Sequence, residues 1–222
     1  MTKLSNRLYI FDLDGTLLNT IGDLAEACDH VMRTHYPPTH SYQEYCSFVG
    51  NGIRRLVEQA LPTDCREAEY IEKCKQEFVT YYSEHIDLKT LPYEGITAIL
   101  EELQNSGAKI AVASNKFHAG TVKLIRKFFP QISFVALYGN MEGMPLKPDP
   151  ELIEMIIRKA GVDHAHTTMI GDSAVDINTS HNAGIRGIAV SWGFRSRTEL
   201  EEAHPDHIVD TVEQLRELLM AI

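Results

Sequence analysis

Short apolar runs recur along the chain, and each one ends at a group of small or polar residues. There are five such runs, at residues 8–11, 109–113, 134–137, 168–170 and 187–190. Runs of this length without polar alternation are typical of strands that are buried on both faces, as in a parallel sheet. The pattern therefore predicts five strands of one buried parallel sheet.

Between the later runs, apolar residues recur at three- and four-residue spacing, which predicts helices. The predicted helices cover residues 95–103, 121–129 and 150–160. We expect Asp149 to cap the last of these, with Pro150 in its first position and Gly161 after its end. Strands that alternate with helices in this way predict an α/β fold with a doubly wound parallel-sheet (Rossmann-like) core.

Residues 21–91 differ from the rest of the chain because they contain no comparable apolar run. Their pattern predicts four helices, over residues 21–35, 42–48, 53–61 and 67–85. Pro37-Pro38 and Leu91-Pro92 predict turns in this stretch. The economical interpretation is an inserted α-helical cap domain, residues 20–91, which we call the helical cap. It would follow the first strand of a catalytic core domain made of residues 1–19 and 92–222.

Composition and charge narrow the possible partners. The 222 residues include 21 Lys and Arg against 31 Asp and Glu, which gives a formal net charge of −10. A chain this acidic disfavours binding to nucleic acid or to an anionic membrane, since both attract clustered Lys and Arg. It would also repel a small anionic substrate unless a bound cation or local positive groups reversed the field at the site.

The four cysteines, at positions 28, 46, 65 and 74, include no closely spaced pair. This spacing disfavours a thiolate metal site and, without a secretory context, a disulfide framework. The first apolar run stops after four residues at Asp12, far short of a signal sequence or a membrane span. We therefore expect reduced thiols in a cytoplasmic protein.

Two carboxylates directly follow the first predicted strand. Asp12 and Asp14 are two positions apart, so in extended chain their side chains point the same way, and Gly15 lets the backbone turn behind them. Two like charges this close are unfavourable unless a cation shares them or one of them is protonated. The alternative is that Asp14 only caps the loop.

Asp172 and Asp176 follow the fourth apolar run, in the sequence Gly-Asp-Ser-Ala-Val-Asp. Mg²⁺ prefers oxygen ligands and is commonly held by one or two carboxylates together with a substrate phosphate. Asp12 and Asp172 are therefore candidate ligands, with Asp176 orienting them. The alternative is that Asp172 and Asp176 are acids at the start of a helix, where the helix dipole favours them.

Two further positions carry groups that suit a phosphate. Lys147 lies in a loop that Pro148 and Pro150 restrict, so little entropy is lost when its ammonium is presented. Ser114 and Asn115 follow the second run and offer a hydroxyl and an amide to phosphate oxygens. The alternatives are a solvated surface lysine and a simple turn.

In chain order, these motifs are Asp-x-Asp-Gly-Thr, Ser-Asn, Lys-Pro and Gly-Asp-x-x-x-Asp, each at a predicted strand end or loop. With them the chain resembles the haloacid dehalogenase-like hydrolase superfamily over nearly its whole length, the helical cap included. Residues 49–56, 114–116 and 191–195 resemble the phosphoglycolate phosphatase branch of that superfamily. The presence of Asp14 speaks against the dehalogenases of the superfamily.

The resemblance implies a phosphatase that forms an aspartyl-phosphate intermediate. Asp12 would be the nucleophile, and Asp14 would protonate the leaving oxygen and then activate water. Mg²⁺ would be bound by the side chains of Asp12 and Asp172 and by the Asp14 backbone carbonyl, with Asp176 orienting the ligands. The phosphoryl oxygens would be held by Ser114, Asn115 and Lys147.

The helical cap is expected to close over the site, exclude water and supply specificity. The candidates for specificity are Gly50, Asn51, Gly52 and either Arg54 or Arg55. The two arginines point about 100° apart on a helix, so at most one is expected to face inward. The alternative for the two glycines and the asparagine is a tight turn before a helix.

The expected function is Mg²⁺-dependent hydrolysis of a small phosphomonoester, with 2-phosphoglycolate as the preferred substrate. The partner would be a small anionic phosphorylated metabolite, and the enzyme a monomer or homodimer. Inorganic pyrophosphatase and broad sugar-phosphate phosphatase activities remain alternatives, as does a sugar phosphomutase. From a different class, a non-catalytic binding protein that retains the fold also remains open.

Overall fold

Six parallel strands form the centre of the computed structural model, which describes Leu4, residues 6–35 and residues 40–221. A separate pair of two-residue strands lies beside the helical cap. In chain order the strands are β1 (Leu8–Phe11), β2 (Leu18–Asn19), β3 (Leu91–Pro92), β4 (Lys109–Phe117), β5 (Phe134–Asn140), β6 (Thr167–Gly171), β7 (Arg186–Val190) and β8 (His207–Val209).

Ten α-helices surround and connect these strands within the described residues. They are α1 (Ile21–His35), α2 (Tyr42–Phe48), α3 (Gly52–Ala60), α4 (Ala68–His85), α5 (Ile96–Asn105), α6 (His118–Phe128), α7 (Glu151–Ala160), α8 (Ala174–Asn182), α9 (Arg197–Glu202) and α10 (Val212–Ala221). Two short 3₁₀ turns cover Thr63–Cys65 and His164–His166. Within the described residues, no helix combines the length and the apolar character that crossing a membrane requires.

The strand order in the large sheet is β5-β4-β1-β6-β7-β8. The chain builds outward from β1 to one side through β4 and β5, and then to the other side through β6, β7 and β8. In such a sheet, ligands bind beyond the carboxyl ends of the strands where the order reverses. The fold thus places a crevice at the ends of β1, β4 and β6.

The first strand shows why the sheet is buried on both faces. Tyr9 and Phe11 pack into the large apolar cluster that the core shares with the helical cap, whereas Leu8 and Ile10 pack into a second cluster on the opposite face. Successive side chains of a strand point to opposite faces, and all four residues of β1 are buried. Because both faces of the strand are buried, every position of β1 needs an apolar side chain, and the sequence is a continuous apolar run.

All five predicted strands are confirmed, and β8 is an additional strand at the edge of the sheet. It escapes the sequence pattern because it has only three residues and only Val209 is buried. The predicted helices are present: those over residues 21–35 and 42–48 match at both ends, and the others are shifted by at most three residues at an end. The predicted N-cap is wrong by one residue: α7 begins at Glu151 after Pro150, and the Asp149 carboxylate instead accepts a hydrogen bond from the Glu151 backbone N–H.

The helical cap leaves and rejoins the core at one place, because β2 and β3 pair antiparallel with Leu18 opposite Pro92. The turn predicted at Leu91-Pro92 is therefore a short strand. Proline is compatible with it because an edge strand need not donate from every backbone nitrogen. The turn predicted at Pro37-Pro38 lies outside the described residues. The division into a core of residues 1–19 and 92–222 and a cap of residues 20–91 stays a prediction.

A buried carboxylate fastens this junction. Asp23, at the start of α1, accepts hydrogen bonds from the backbone nitrogens of Lys89 and Thr90 at 2.8–3.0 Å and from the Thr90 hydroxyl at 2.7 Å. Asp23 is only 3% exposed, so water cannot replace these partners. The first helix of the cap is thereby tied to the segment that returns to the core.

We expect Asp23→Ala to lower the free energy of unfolding by about 2–4 kcal/mol, because it leaves several buried donors without an acceptor. Urea denaturation followed by circular dichroism measures the effect. Glu26→Ala is the matched control on the same helix, since it removes an exposed ion pair with Lys89 and should change stability little. Equal losses in the two variants would contradict the role given to Asp23.

Candidate active site

The predicted motifs converge on the crevice at the carboxyl ends of β1, β4 and β6. Asp12 and Asp14 follow β1, Ser114 and Asn115 lie near the end of β4, and Asp172 follows β6. The loop before α7 brings in Lys147, and the first turn of α8 brings in Asp176. All seven side chains line one cavity between the core and the helical cap.

Three buried carboxylates form the floor of this cavity. One oxygen from each of Asp12, Asp172 and Asp176 lies within 4.8 Å of the other two. Burial raises the pKa of Asp12 to about 6, although the Lys147 ammonium lowers it. Burial also raises the pKa of Asp172 well above its usual range, and the charges of Asp176 and Asp12 raise it further. The cluster therefore carries more negative charge than its surroundings stabilise.

Lys147 supplies the counter-charge. Its ammonium donates to Asp12 Oδ1 at 2.9 Å, Asp176 Oδ1 at 2.7 Å and the carbonyl oxygen of Ala113 at 2.8 Å, which uses all three of its protons. Burial lowers the pKa of Lys147, but the two carboxylates outweigh it and the pKa is raised overall. One ammonium facing three carboxylates still leaves an excess of negative charge when all are ionised.

The hydrogen bonds distinguish the three acids. Both oxygens of Asp176 are committed, one to Lys147 and the other to the backbone nitrogen and hydroxyl of Ser173. Asp172 accepts from the Phe194 backbone nitrogen at 2.7 Å on one oxygen and from the Thr16 hydroxyl at 3.4 Å on the other. Within the described chain, Asp12 Oδ2 accepts no hydrogen bond. Oxygen ligands with remaining lone pairs and an unbalanced negative charge fit a hard divalent cation such as Mg²⁺, and Asp12 and Asp172 accept fewer hydrogen bonds than Asp176 and are the acids better suited to bind it.

Gly15 permits the close approach on which this floor depends. Its φ of +84° lies in the left-handed region, and a Cβ at this position would collide with the Asp172 carboxylate. A larger residue would therefore be strained and would displace Asp172. The glycine expected to turn the backbone behind the two aspartates also makes room for the carboxylate that comes from β6.

Asp14 lies apart from the three-acid floor and has a different partner. Its two carboxylate oxygens are 3.0 and 3.2 Å from the Lys116 ammonium, which also donates to the Tyr82 hydroxyl at 2.7 Å. Lys116 belongs to the 114–116 motif of the sequence without a predicted role in the site, and Tyr82 is a site residue that the sequence reasoning did not select. Lys116 could have been found from the alternation of an extended strand, which puts it on the side of Ser114. Tyr82 could not, since it continues the apolar stripe of α4.

Asn115 connects the helical cap to the core. Its amide nitrogen donates to the carbonyl oxygens of Gly50 and Lys147 at 2.9 and 3.0 Å, and its side-chain oxygen accepts from the Lys147 backbone nitrogen at 2.9 Å. Both amide protons are thus occupied, and the side chain has no donor left for a phosphate oxygen in this conformation. Ser114 is buried in the cavity wall, and its oxygen accepts from the Lys116 backbone nitrogen.

The cap candidates divide into two groups. Gly50 and Gly52 line the cavity, and their positive φ values of +114° and +80° form the tight turn before α3. Asn51 and Arg54 are exposed and do not line it. Arg54 points away from the cavity because α3 turns Ile53 toward it, and the next residue on a helix points about 100° away. The exposed Arg55 instead pairs with Glu58.

Arg195 is a second contact between core and cap, and it belongs to the 191–195 motif, in which the sequence reasoning gave it no role. It lies after β7, and its guanidinium donates to the carbonyl oxygens of Cys46, Ser47 and Val49 at the end of α2. Free carbonyls at a helix end attract a cation. Arg195 thereby closes one side of the cavity, which is small, with a volume of about 40 Å³ for the centres of water-sized molecules.

Comparisons with known proteins agree with this geometry. A family model described as haloacid dehalogenase-like hydrolase matches residues 9–190. A phosphoglycolate phosphatase of Mesorhizobium japonicum is 30% identical over 98% of this chain and 99% of its own length, and one of Agrobacterium fabrum is 32% identical over 91% and 88%. A crystal structure from Lactobacillus delbrueckii subsp. bulgaricus superposes with a TM-score of 0.89 at 30% identity, covering 97% of this chain and 98% of that one.

The raised pKa of Asp12 predicts a pH effect in the metal-free protein. Between its ordinary value of 3.8 and about 6, the folded state holds a proton that the unfolded state has released, so wild-type stability falls as pH rises. Asp12→Asn lacks this proton. In EDTA, the free energy of unfolding of Asp12→Asn minus that of wild type should rise by about 2 kcal/mol over this pH range and then stay level.

Urea denaturation at intervals from pH 4 to pH 7 measures this difference. The control is Glu142→Gln, a change at an exposed carboxyl group outside the site. The free energy of unfolding of this variant, relative to wild type, should not show the same rise with pH. A difference between Asp12→Asn and wild type that does not vary with pH would contradict the buried, proton-binding state of Asp12.

Proposed function

Since the chain belongs to the haloacid dehalogenase-like hydrolase family, as a phosphoric monoester hydrolase of its phosphoglycolate phosphatase-like branch, we propose that it hydrolyses 2-phosphoglycolate by transferring the phosphoryl group to Asp12. The observation that carries this proposal is the buried group of Asp12, Asp172 and Asp176 around Lys147, with Asp14 facing the same cavity. Each group needed for the transfer is present in one small cavity.

Asp12 is the nucleophile. Lys147 fixes Oδ1 at 2.9 Å and leaves Oδ2 to attack the phosphorus, so the carboxylate is held in one orientation before substrate binds. The attack forms a bond between Asp12 and phosphorus and breaks the bond to the ester oxygen. The transfer replaces one difficult displacement by water with two easier steps. Asp176 keeps Lys147 in position between the acids.

The three-acid floor fits Mg²⁺, as its oxygen donors and excess negative charge favour a hard dication. The side chains of Asp12 and Asp172 and the Asp14 backbone carbonyl would hold the ion, while Asp176 stays with Lys147 and Ser173. When bound, Mg²⁺ neutralises the charge that opposes the approach of an anionic nucleophile to an anionic phosphoryl group. This local positive charge overcomes the repulsion expected from a chain of net charge −10.

Asp14 exchanges the protons. It lies two residues after Asp12 and lines the same cavity, so it protonates the departing ester oxygen and then takes a proton from the water that attacks phospho-Asp12. Ser114 binds a phosphoryl oxygen through its hydroxyl, and the Lys147 ammonium, whose protons stay on Asp12, Asp176 and Ala113, stabilises the phosphoryl charge electrostatically. The Asn115 side chain has its amide protons on Gly50 and Lys147, and in this scheme it orders the loops around the phosphoryl group instead of binding it.

The size and enclosure of the cavity favour a small phosphorylated metabolite as substrate. Cap contacts through Asn115 and Arg195 restrict entry and exclude water from the reacting groups. The state of the enzyme as monomer or homodimer and its cytoplasmic location stay predictions.

Phosphate release in the presence of Mg²⁺ tests the substrate. We expect kcat/KM for 2-phosphoglycolate to exceed the values for pyrophosphate and sugar phosphates by about a hundredfold, near 2.7 kcal/mol of transition-state discrimination. EDTA and Asp12→Asn should each abolish release. A flat substrate profile would contradict the choice of 2-phosphoglycolate, and turnover that does not depend on Asp12 would contradict the nucleophile.

The two roles of Asp14 predict a trapped intermediate. With p-nitrophenyl phosphate, whose leaving group needs no proton, Asp14→Asn should still form phospho-Asp12 but hydrolyse it about 10²–10⁴ times more slowly. Intact-protein mass spectrometry should show one added phosphoryl group, which Asp12→Asn lacks. A rapid turnover of p-nitrophenyl phosphate by Asp14→Asn, with no such species, would contradict the role of Asp14 in the second step.

A further inference from the structure

Lys116 and Tyr82 meet in the cavity wall beside Asp14, one contributed by the core strand β4 and the other by the cap helix α4. We propose that they form a subsite for a second anionic group of the substrate, on the side of the leaving group. The enzyme would then select phosphate esters that carry a carboxylate close to the ester oxygen. This inference rests on the proposed function, which it deepens by naming the residues that select the substrate.

Lys116 is the cation of the cavity that can turn to such a group, because it donates to both oxygens of Asp14 and to Tyr82 and loses the Asp14 charge when Asp14 carries the proton that its proposed role requires. Three cationic side chains line the cavity: Lys116, Lys147 and Arg195. All three Lys147 protons are donated, to Asp12, Asp176 and the Ala113 carbonyl oxygen. The Arg195 guanidinium donates to carbonyl oxygens of the cap and pairs with Glu199. The Lys116 side chain is only 2% exposed, so its charge requires an anion beside it, and Asp14 supplies that anion only while it is ionised.

Tyr82 has an unused donor at the same place. Its oxygen accepts from Lys116 at 2.7 Å, but its own O–H has no acceptor among the described residues, although the side chain is completely buried. A buried hydroxyl proton without an acceptor is unfavourable. Burial, reinforced by the charge of Asp14, raises the pKa of Tyr82, so this proton is retained. A substrate oxygen next to Lys116 would satisfy it.

The position relative to Asp14 defines which anion fits. Both Asp14 oxygens contact Lys116, and Asp14 must reach the ester oxygen for its proposed role. A group bound by Lys116 therefore lies near that oxygen, on the side away from the phosphorus. A carboxylate one carbon beyond the ester oxygen matches this separation, whereas a neutral alcohol leaves the ammonium without a new partner.

Binding of two non-hydrolysable phosphonates in the presence of Mg²⁺ tests the subsite without requiring turnover. The probes are 3-phosphonopropionate, which carries the carboxylate, and propylphosphonate, which does not, and calorimetry measures both. Wild type should bind the carboxylate probe about 30-fold more tightly, as charge-assisted hydrogen bonds predict. Lys116→Met should reduce this ratio to about threefold or less, with little change for propylphosphonate.

Tyr82→Phe keeps the test informative if Lys116→Met fails to fold. It removes the unused donor and should lower the ratio about fivefold. Lys123→Met is the control, since that ammonium lies outside the cavity on the Ser83 carbonyl oxygen, and its ratio should equal that of wild type. An equal loss of both probes in Lys116→Met would overturn the subsite and leave Lys116 as a support for Asp14. Because the ratio does not depend on hydrolysis, failure to hydrolyse 2-phosphoglycolate would count against the proposed function alone.

Discussion

The structure of the site depends on one buried ammonium shared by two carboxylates. Lys147 lies between Asp12 and Asp176 with side-chain exposures of only 2%, 12% and 1%, where an unpaired charge of either sign would be strongly unfavourable. The pair interactions hold together three elements that are distant in the chain, the end of β1, the start of α8 and the loop before α7. The same contacts leave Asp12 Oδ2 and Asp172 as the groups that remain for a cation and a substrate.

Electrostatics explains why such a site can exist in an acidic protein. The net charge of −10 acts at long range and is screened by salt, whereas Lys147 and Lys116 act at hydrogen-bond distance from side chains that are only 2% exposed. At such distances and with little solvent, a few positive groups dominate the field. The overall charge therefore disfavours the approach of anionic macromolecules at long range, and the buried lysines dominate the field inside the cavity.

The helical cap contributes to the site by contacts that are not visible in any single motif. Asn115 binds the Gly50 carbonyl, Arg195 binds the end of α2, and Lys116 binds Tyr82. In each pair, a polar side chain of the core meets a group of the cap, and each bond is made at the wall of the same cavity. The cap is thus held in place by side chains that also line the cavity.

The sequence by itself determined the parallel sheet, the four helices of the insertion and the acids and lysine at the strand ends. These signals are local: a run buried on both faces must be apolar, and residues at the carboxyl ends of parallel strands meet at one edge. Tertiary structure alone decided which cap residues face the cavity. Arg54 turned outward because Ile53 occupies the inward face of α3, and Asn115 became a connection between loops because two carbonyl oxygens lie within reach of its amide. Lys116 and Tyr82 come together from positions 34 residues apart, and their pairing depends on how α4 packs over β4, a distance relation that no periodicity in the chain encodes.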